Sequence, residues 1–214
     1  MNMKIISSFL LFSIVLTNSL LIISAAEEPP VLDANGENLS PNNFYYVQPL
    51  TSGGGLSQAS TANQICPLAV IQLPRLDFGM ELWFNNLMPN EDQVIRESTD
   101  INIGFKEAAL DCDATSVWKR DELPDSLGNY FITTGGVEGF YGPDFYPTSR
   151  FMIRKHSTIG VFTGYKFVYC PVCGFCDHIC SDIGVVEENG VARLGLSDTP
   201  FPPFVFRKVS GVLK

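Results

Sequence analysis

Four cysteines, Cys170, Cys173, Cys176 and Cys180, stand in the spacing C-x2-C-x2-C-x3-C. Thiolates so spaced can hold an iron-sulfur cluster, and His178 beside the last of them could join a zinc site; the same residues can instead close a hairpin with disulfides. The compartment decides between these chemistries. Residues 1–26 carry one charge, Lys4, then an apolar run that ends in Ser24-Ala25-Ala26. A charged start, an apolar middle and small residues before the cut form a secretory signal peptide cleaved after Ala26, which leaves a mature chain of residues 27–214. A membrane anchor would call for a stop-transfer charge cluster, and none follows. Export by an oxidising route consumes thiolates, so six cysteines, an even number, predict three disulfides. Ser181 also stands where bacterial ferredoxins carry Pro after the fourth cysteine. No metal and no cofactor are expected. Cys66 and Cys112 are far from the cluster and, if paired, close a long loop. The four clustered cysteines allow three connectivities, of which the nested one suits a hairpin.

Little else in the chain could do chemistry. G-x-S-x-G, H-E-x-x-H and a Walker loop are all absent, and Gly53-Gly54-Gly55 is followed by Leu56-Ser57 without a phosphate-seeking Lys. Of two histidines, His156 lies beside Arg154 and Lys155 in an expected exposed turn, and His178 lies in the cysteine loop. Asp111 and Asp113 flank Cys112 and read as a polar edge around a disulfide. The chain is therefore not expected to be an enzyme. Asn38-Leu39-Ser40 is a glycosylation sequon, with Pro41 directly after it.

The elements that must position these residues are short. Runs rich in Val, Ile, Phe and Tyr occur at 44–47, 68–73, 82–84, 101–105, 130–133, 151–154, 165–169, 183–186, 191–196 and 204–209, separated by Gly, Pro, Asn and Asp turns that include Asn85-Asn86. The pattern predicts an all-β sandwich or barrel, and Asn189-Gly190 predicts a type I′ hairpin turn. The formal charge is −9, which becomes −10 once Lys4 leaves with the signal peptide. An acidic surface argues against nucleic acid as a partner. Without a linker between two composition regimes, one domain spans residues 27–214.

Val31-x-Asp33-x-Asn35-Gly36-Glu37-x-Leu39 followed by Tyr45-x-Val47 resembles the N-terminal signature of the plant Kunitz inhibitors of the soybean-trypsin-inhibitor type. Further matches run through Gly53-Gly54-Gly55-Leu56, Cys66-Pro67-Leu68, Ser98-Thr99-Asp100-Ile101-Asn102-Ile103, Trp118, Tyr165-Lys166-Phe167-Val168-Tyr169-Cys170-Pro171, Cys180-Ser181-Asp182-Ile183-Gly184 and Leu196-Ser197-Asp198-Thr199-Pro200. The extra pair Cys173 and Cys176 resembles the miraculin-like branch. The resemblance implies an all-β fold, a β-trefoil of twelve strands with pseudo-threefold symmetry. It also implies disulfides Cys66 to Cys112, Cys170 to Cys180 and Cys173 to Cys176.

The function implied is that of a secreted, monomeric, defensive inhibitor that blocks an endopeptidase, of serine type first and cysteine type second, with no membrane partner. It would be delivered to the apoplast or the vacuole. The reactive loop would comprise Leu87, Met88, Pro89, Asn90, Glu91 and Asp92, supported by Asn42 or Asn43 where the family places a bracing Asn at the position of Pro41. No Lys or Arg occurs in residues 76–95, so a trypsin-type pocket is poorly matched. Leu87 is expected to suit a chymotrypsin- or subtilisin-like pocket, and Met88 suits one less because Pro89 follows it. The alternative is a trefoil without strong serine-protease inhibition that binds a cysteine protease, glycosidase, receptor or carbohydrate, or serves as a store.

Overall fold

The computed structural model describes residues 27–210 apart from 63, 89, 109–111, 113, 140–147, 171–179 and 200. Among the described residues the regular elements are β1 Tyr45–Pro49, β2 Leu56–Thr61, β3 Gln64–Gln72, β4 Leu82–Asn86, β5 Ile101–Phe105, β6 Lys119–Arg120, β7 Ile132–Thr133, β8 Phe151–Ile159, β9 Phe162–Tyr169, β10 Ser181–Glu188, β11 Val191–Ser197 and β12 Phe204–Lys208. Ten coincide with the apolar runs read from the sequence. The two others, β2 and β6, carry few apolar side chains: β2 buries only Leu56 and Thr61, and β6 is a Lys-Arg pair.

Six strands close a ring. β1 pairs with β12 and β4, β4 with β5, β5 with β8, β8 with β9, and β9 with β12, all antiparallel. The other six form three hairpins, β2 with β3, β6 with β7, and β10 with β11, which meet through β3–β7 and β3–β11 pairs and a Phe131–Gly195 bridge. A six-stranded barrel capped by three hairpins is a β-trefoil. Closing the ring pairs each of the six barrel strands on both sides.

The barrel is filled by alternate residues of its strands, as the period-2 geometry of a strand requires. Tyr45, Val47, Leu82, Phe84, Ile103, Phe105, Phe151, Ile153, Tyr165, Phe167, Phe204 and Phe206 are each 0–1% exposed. Their rings interlock edge to face: Phe84 meets Phe206 at 5.2 Å and 84°, and Trp118 meets Phe167 at 5.4 Å and 74°. β10 and β11 turn at Asn189 and Gly190 with φ of 52° and 79°, as a type I′ turn requires. His156 is exposed but does not lie in a turn. It is the extra residue of a bulge in β8, where Lys155 pairs with Tyr165 and Ser157 with Gly164. Asn85 and Asn86, also expected in a turn, continue β4 because they pair with Asn102 and Ile101.

The glycine run has a packing reason. A Cβ on Gly54 would stand 2.1 Å from the Pro74 carbonyl oxygen, and one on Gly55 would stand 1.9 Å from that of Phe78. The two backbones touch there, and Gly54 and Gly55 donate to the carbonyls of Leu73 and Asp77 at 2.8 and 2.7 Å.

Two tyrosines of the barrel reach out of the core to hold the N-terminal segment. The Leu32 N–H donates to the Tyr165 hydroxyl at 2.9 Å, and the Ser40 N–H to the Tyr45 hydroxyl at 3.0 Å. Burial pushes the Tyr165 hydroxyl above its ordinary pKa, so it stays a neutral anchor. Between these anchors Asp33 accepts from the N–H groups of Asn35 and Glu37, at 2.8 and 3.0 Å, and bends the segment into a strap.

Candidate functional site

The strap positions the loop that joins β4 to β5, residues 87–100. On the loop's return the Ile95 N–H donates to the Leu39 carbonyl at 2.8 Å and the Val31 N–H to the Ile95 carbonyl at 2.9 Å. Ile95 is thus clasped between two arms of the strap, with Val31, Leu39 and Ile95 all fully buried. The outgoing side is tied at its base, where the Leu87 N–H donates to the Asp100 carbonyl at 3.0 Å. The Asp100 carboxylate is paired with Arg150 at the head of β8.

Inside the loop the bracing comes from side-chain amides. Asn90 Nδ2 donates to the Val94 carbonyl at 2.6 Å. Asn86 Nδ2 reaches the same carbonyl at 3.0 Å and Asn90 Oδ1 at 3.1 Å. Gln93, at φ 54°, sends Nε2 to the Asn90 carbonyl at 3.2 Å. The Asp92 carboxylate accepts from the Val94 N–H at 3.3 Å and pairs with Arg96, which also meets Glu27 at 2.9 Å. Two asparagines, a glutamine and an ion pair therefore brace residues 90–96 of the loop and hold the Asn90 and Val94 carbonyls.

The expected reactive residues divide accordingly. Met88 is 71% exposed, and Glu91 and Asp92 are exposed. Pro89 lies outside the described residues. Leu87 does not project from the loop: it is 8% exposed, at the base where its N–H donates to the Asp100 carbonyl. Asn90 is half-buried and serves as a brace. The backbone N–H groups of Asn42 and Asn43 close a local turn on Ser40, and among the described residues their side chains make no bond to the loop. The side-chain amides that bond within the loop are those of Asn86, Asn90 and Gln93. Sequence reasoning passed over Asn86, yet an Asn at a strand end facing a second Asn four residues on is a recognisable brace.

Cys66 is joined to Cys112 and Cys170 to Cys180, with Cα separations of 5.7 and 4.3 Å. Cys173, Cys176, His178, Asp111 and Asp113 lie outside the described residues. Among the described residues no group of His, Cys, Asp and Glu is placed to hold a metal ion. Asn38 is exposed on the strap.

Comparison with known proteins gives this geometry its setting. Residues 31–208 match the model of the Kunitz legume family, described as trypsin and protease inhibitors. The chain is 41% identical over 199 residues to miraculin of Synsepalum dulcificum, covering 87% of each chain. It is 34% identical over 196 residues to Kunitz trypsin inhibitor 5 of Arabidopsis thaliana, covering 90% of this chain and 92% of that one. The solved structure of the Kunitz-type cysteine protease inhibitor PCPI-3 from potato superposes with a TM-score of 0.72 at 32% identity, over 86% of this chain and 99% of that one. Strap, capped barrel and family match agree: the chain belongs to the Kunitz legume family of trypsin and protease inhibitors.

Proposed function

We propose that the protein is a secreted inhibitor that enters the active site of an endopeptidase with the β4–β5 loop, Met88 foremost. The observation that carries this is the loop itself, exposed at Met88 and cross-braced through Asn86 and Asn90 onto the Val94 carbonyl. A loop already fixed has little conformational freedom to lose on binding, and a cleaved one would be held with its ends together, which favours resealing over release.

With Leu87 withdrawn, Met88 is the apolar side chain left for a specificity pocket, and residues 76–95 contain no Lys or Arg. The target is therefore a protease with an apolar pocket, of the chymotrypsin or subtilisin kind. Glu91 and Asp92 add negative charge that a trypsin-type pocket, with its own carboxylate, would repel. Titration of the purified protein against chymotrypsin, subtilisin, trypsin and papain tests this. Tight inhibition of either of the first two with weak inhibition of trypsin is expected, and tight inhibition of trypsin through this loop would overturn it.

The signal peptide, the single domain of residues 27–214, a monomeric state, export to the apoplast or vacuole and a defence role belong to the same proposal. Two cystines support passage through an oxidising compartment. A second reading, a trefoil whose loop no longer inhibits and which binds another partner or serves as a store, draws on the identity with miraculin. Absence of inhibition across the four proteases would select it.

A further inference from the structure

The end of the barrel near the β1–β2, β3–β4 and β8–β9 connections carries a feature that the inhibitory loop does not use. A cleft of about 740 Å3 lies there, lined by Leu50, Leu76, Ile159, Val161, Arg75 and Arg207 among others. This volume falls within the usual range of small-molecule sites. Leu76 is 88% exposed, Val161 91% and Ile159 41%, so the β3–β4 and β8–β9 connections hold large apolar groups out in water around one concavity.

Leu76 is held there against its own backbone preference. The Asp77 N–H donates to the Pro74 carbonyl at 3.3 Å and Leu76 has φ 77°, which makes residues 74–77 a type II turn with leucine where glycine belongs. A leucine at that position is strained and presents its side chain to solvent; folding has no use for either.

Charge adds a second, independent observation. Most described Lys and Arg side chains of this acidic protein are neutralised or stacked: Arg96, Lys106, Arg150, Lys166, Arg193 and Lys208 in ion pairs, and Arg120 over Tyr130 and Tyr169. Arg75 and Arg207, both exposed, have neither kind of partner among the described residues, and both line the cleft. The carboxylate in the lining, Asp77, is engaged with the Gly79 N–H at 3.0 Å. From apolar walls and two unmatched guanidinium groups, the geometry points to a binding site for a small anionic amphiphile, an aliphatic or aromatic tail bearing a carboxylate or sulfonate.

The free molecule is favoured over the same headgroups in a bilayer. A chain with a formal charge of −9 is repelled as a whole by an anionic membrane, whereas a single small anion meets chiefly the local field of the two arginines.

The test uses 8-anilinonaphthalene-1-sulfonate fluorescence with the purified protein, then displacement by dodecanoate below its micelle concentration, with dodecanol as the uncharged control. Saturable one-to-one binding is expected, with displacement by dodecanoate and much less by dodecanol. The double variant R75Q/R207Q should bind about tenfold more weakly, and about 0.5 M NaCl, with a screening length of roughly 4 Å, should act in the same direction. Leu76→Gly relieves the turn, so it should raise the thermal midpoint while weakening the dye. That pairing of a more stable protein with a poorer site is one that a merely structural leucine would not produce. Binding that is unchanged in both variants, or binding only to vesicles containing phosphatidylglycerol, would overturn the inference.

Discussion

At the scale of single residues, the inhibitory reading depends on two amides. Asn86 and Asn90 both converge on the Val94 carbonyl, a group on a residue that is 8% exposed. Truncating both, Asn86→Ala with Asn90→Ala, leaves that carbonyl to whatever water can reach it and frees the loop. Net hydrogen-bond values of about 0.5–1.5 kcal/mol each imply an inhibition constant weaker by roughly fivefold to a hundredfold. The thermal midpoint should fall only slightly, because the barrel is untouched. Inhibition titration, with gel electrophoresis to follow loop cleavage, checks both outcomes.

Asp121 supplies a pH prediction. Burial pushes its carboxyl above the ordinary range, opposed by the Thr133 hydroxyl that donates to it at 2.8 Å and by Arg193, Lys119 and Arg120. The folded state then holds that proton more tightly than the unfolded chain. Its contribution to stability is complete below the unfolded value of about 3.9 and is lost as pH rises through the raised folded value. Asp121→Asn keeps an oxygen for Thr133 and removes the buried charge. It should raise the thermal midpoint at pH 7, and calorimetry should show the gain shrinking as pH falls through the raised folded value and gone below about 4, the ordinary carboxylate range.

At the scale of elements, the two cystines differ in what they constrain. Cys66–Cys112 closes a separation of 46 residues and Cys170–Cys180 one of 10, for which the chain-entropy model gives about 4 and about 3 kcal/mol. Cys66→Ser with Cys112→Ser should accordingly lower the denaturation midpoint more than Cys170→Ser with Cys180→Ser, as urea titration would show. The second pair should leave protease inhibition intact, since the loop's braces lie on the strap and on β4. Ten strands were legible because their apolar residues alternate or run together, as Phe151, Ile153, Tyr165, Phe167 and Tyr169 do. β2 was not, because Ser57, Gln58, Ala59 and Ser60 give no period: the strand exists through its pairing with β3. β6 was invisible for a related reason, being two charged residues held by Thr133 and Ile132. The place of the loop was legible from the flanking strands, but the inward turn of Leu87 was not. The base of the loop is tied there by a hydrogen bond to Asp100, thirteen residues later in sequence and adjacent only once β4 and β5 have paired.

At the scale of the whole molecule, the barrel is the frame that makes a short loop rigid, and the path from one to the other is continuous. Tyr45 and Tyr165 stand in the aromatic core and hold the strap; the strap clasps Ile95, and Ile95 fixes the loop's return. Phe167 sits at the centre of that core, 4.4 Å from Phe204 and 5.4 Å from Trp118 between ring centroids. Phe167→Ala should cost about 3–5 kcal/mol, read from urea unfolding, and should weaken inhibition as the frame loosens. The loop and the frame can be separated by one comparison. The inhibition constants of the purified protein and of Met88→Asp are measured against whichever of chymotrypsin and subtilisin is blocked more tightly, with thermal midpoints recorded alongside. A loss of about a hundredfold or more at an unchanged midpoint is the outcome expected of a central anchor residue placed in an apolar pocket. Equal inhibition by the two proteins, or none by either, would contradict it.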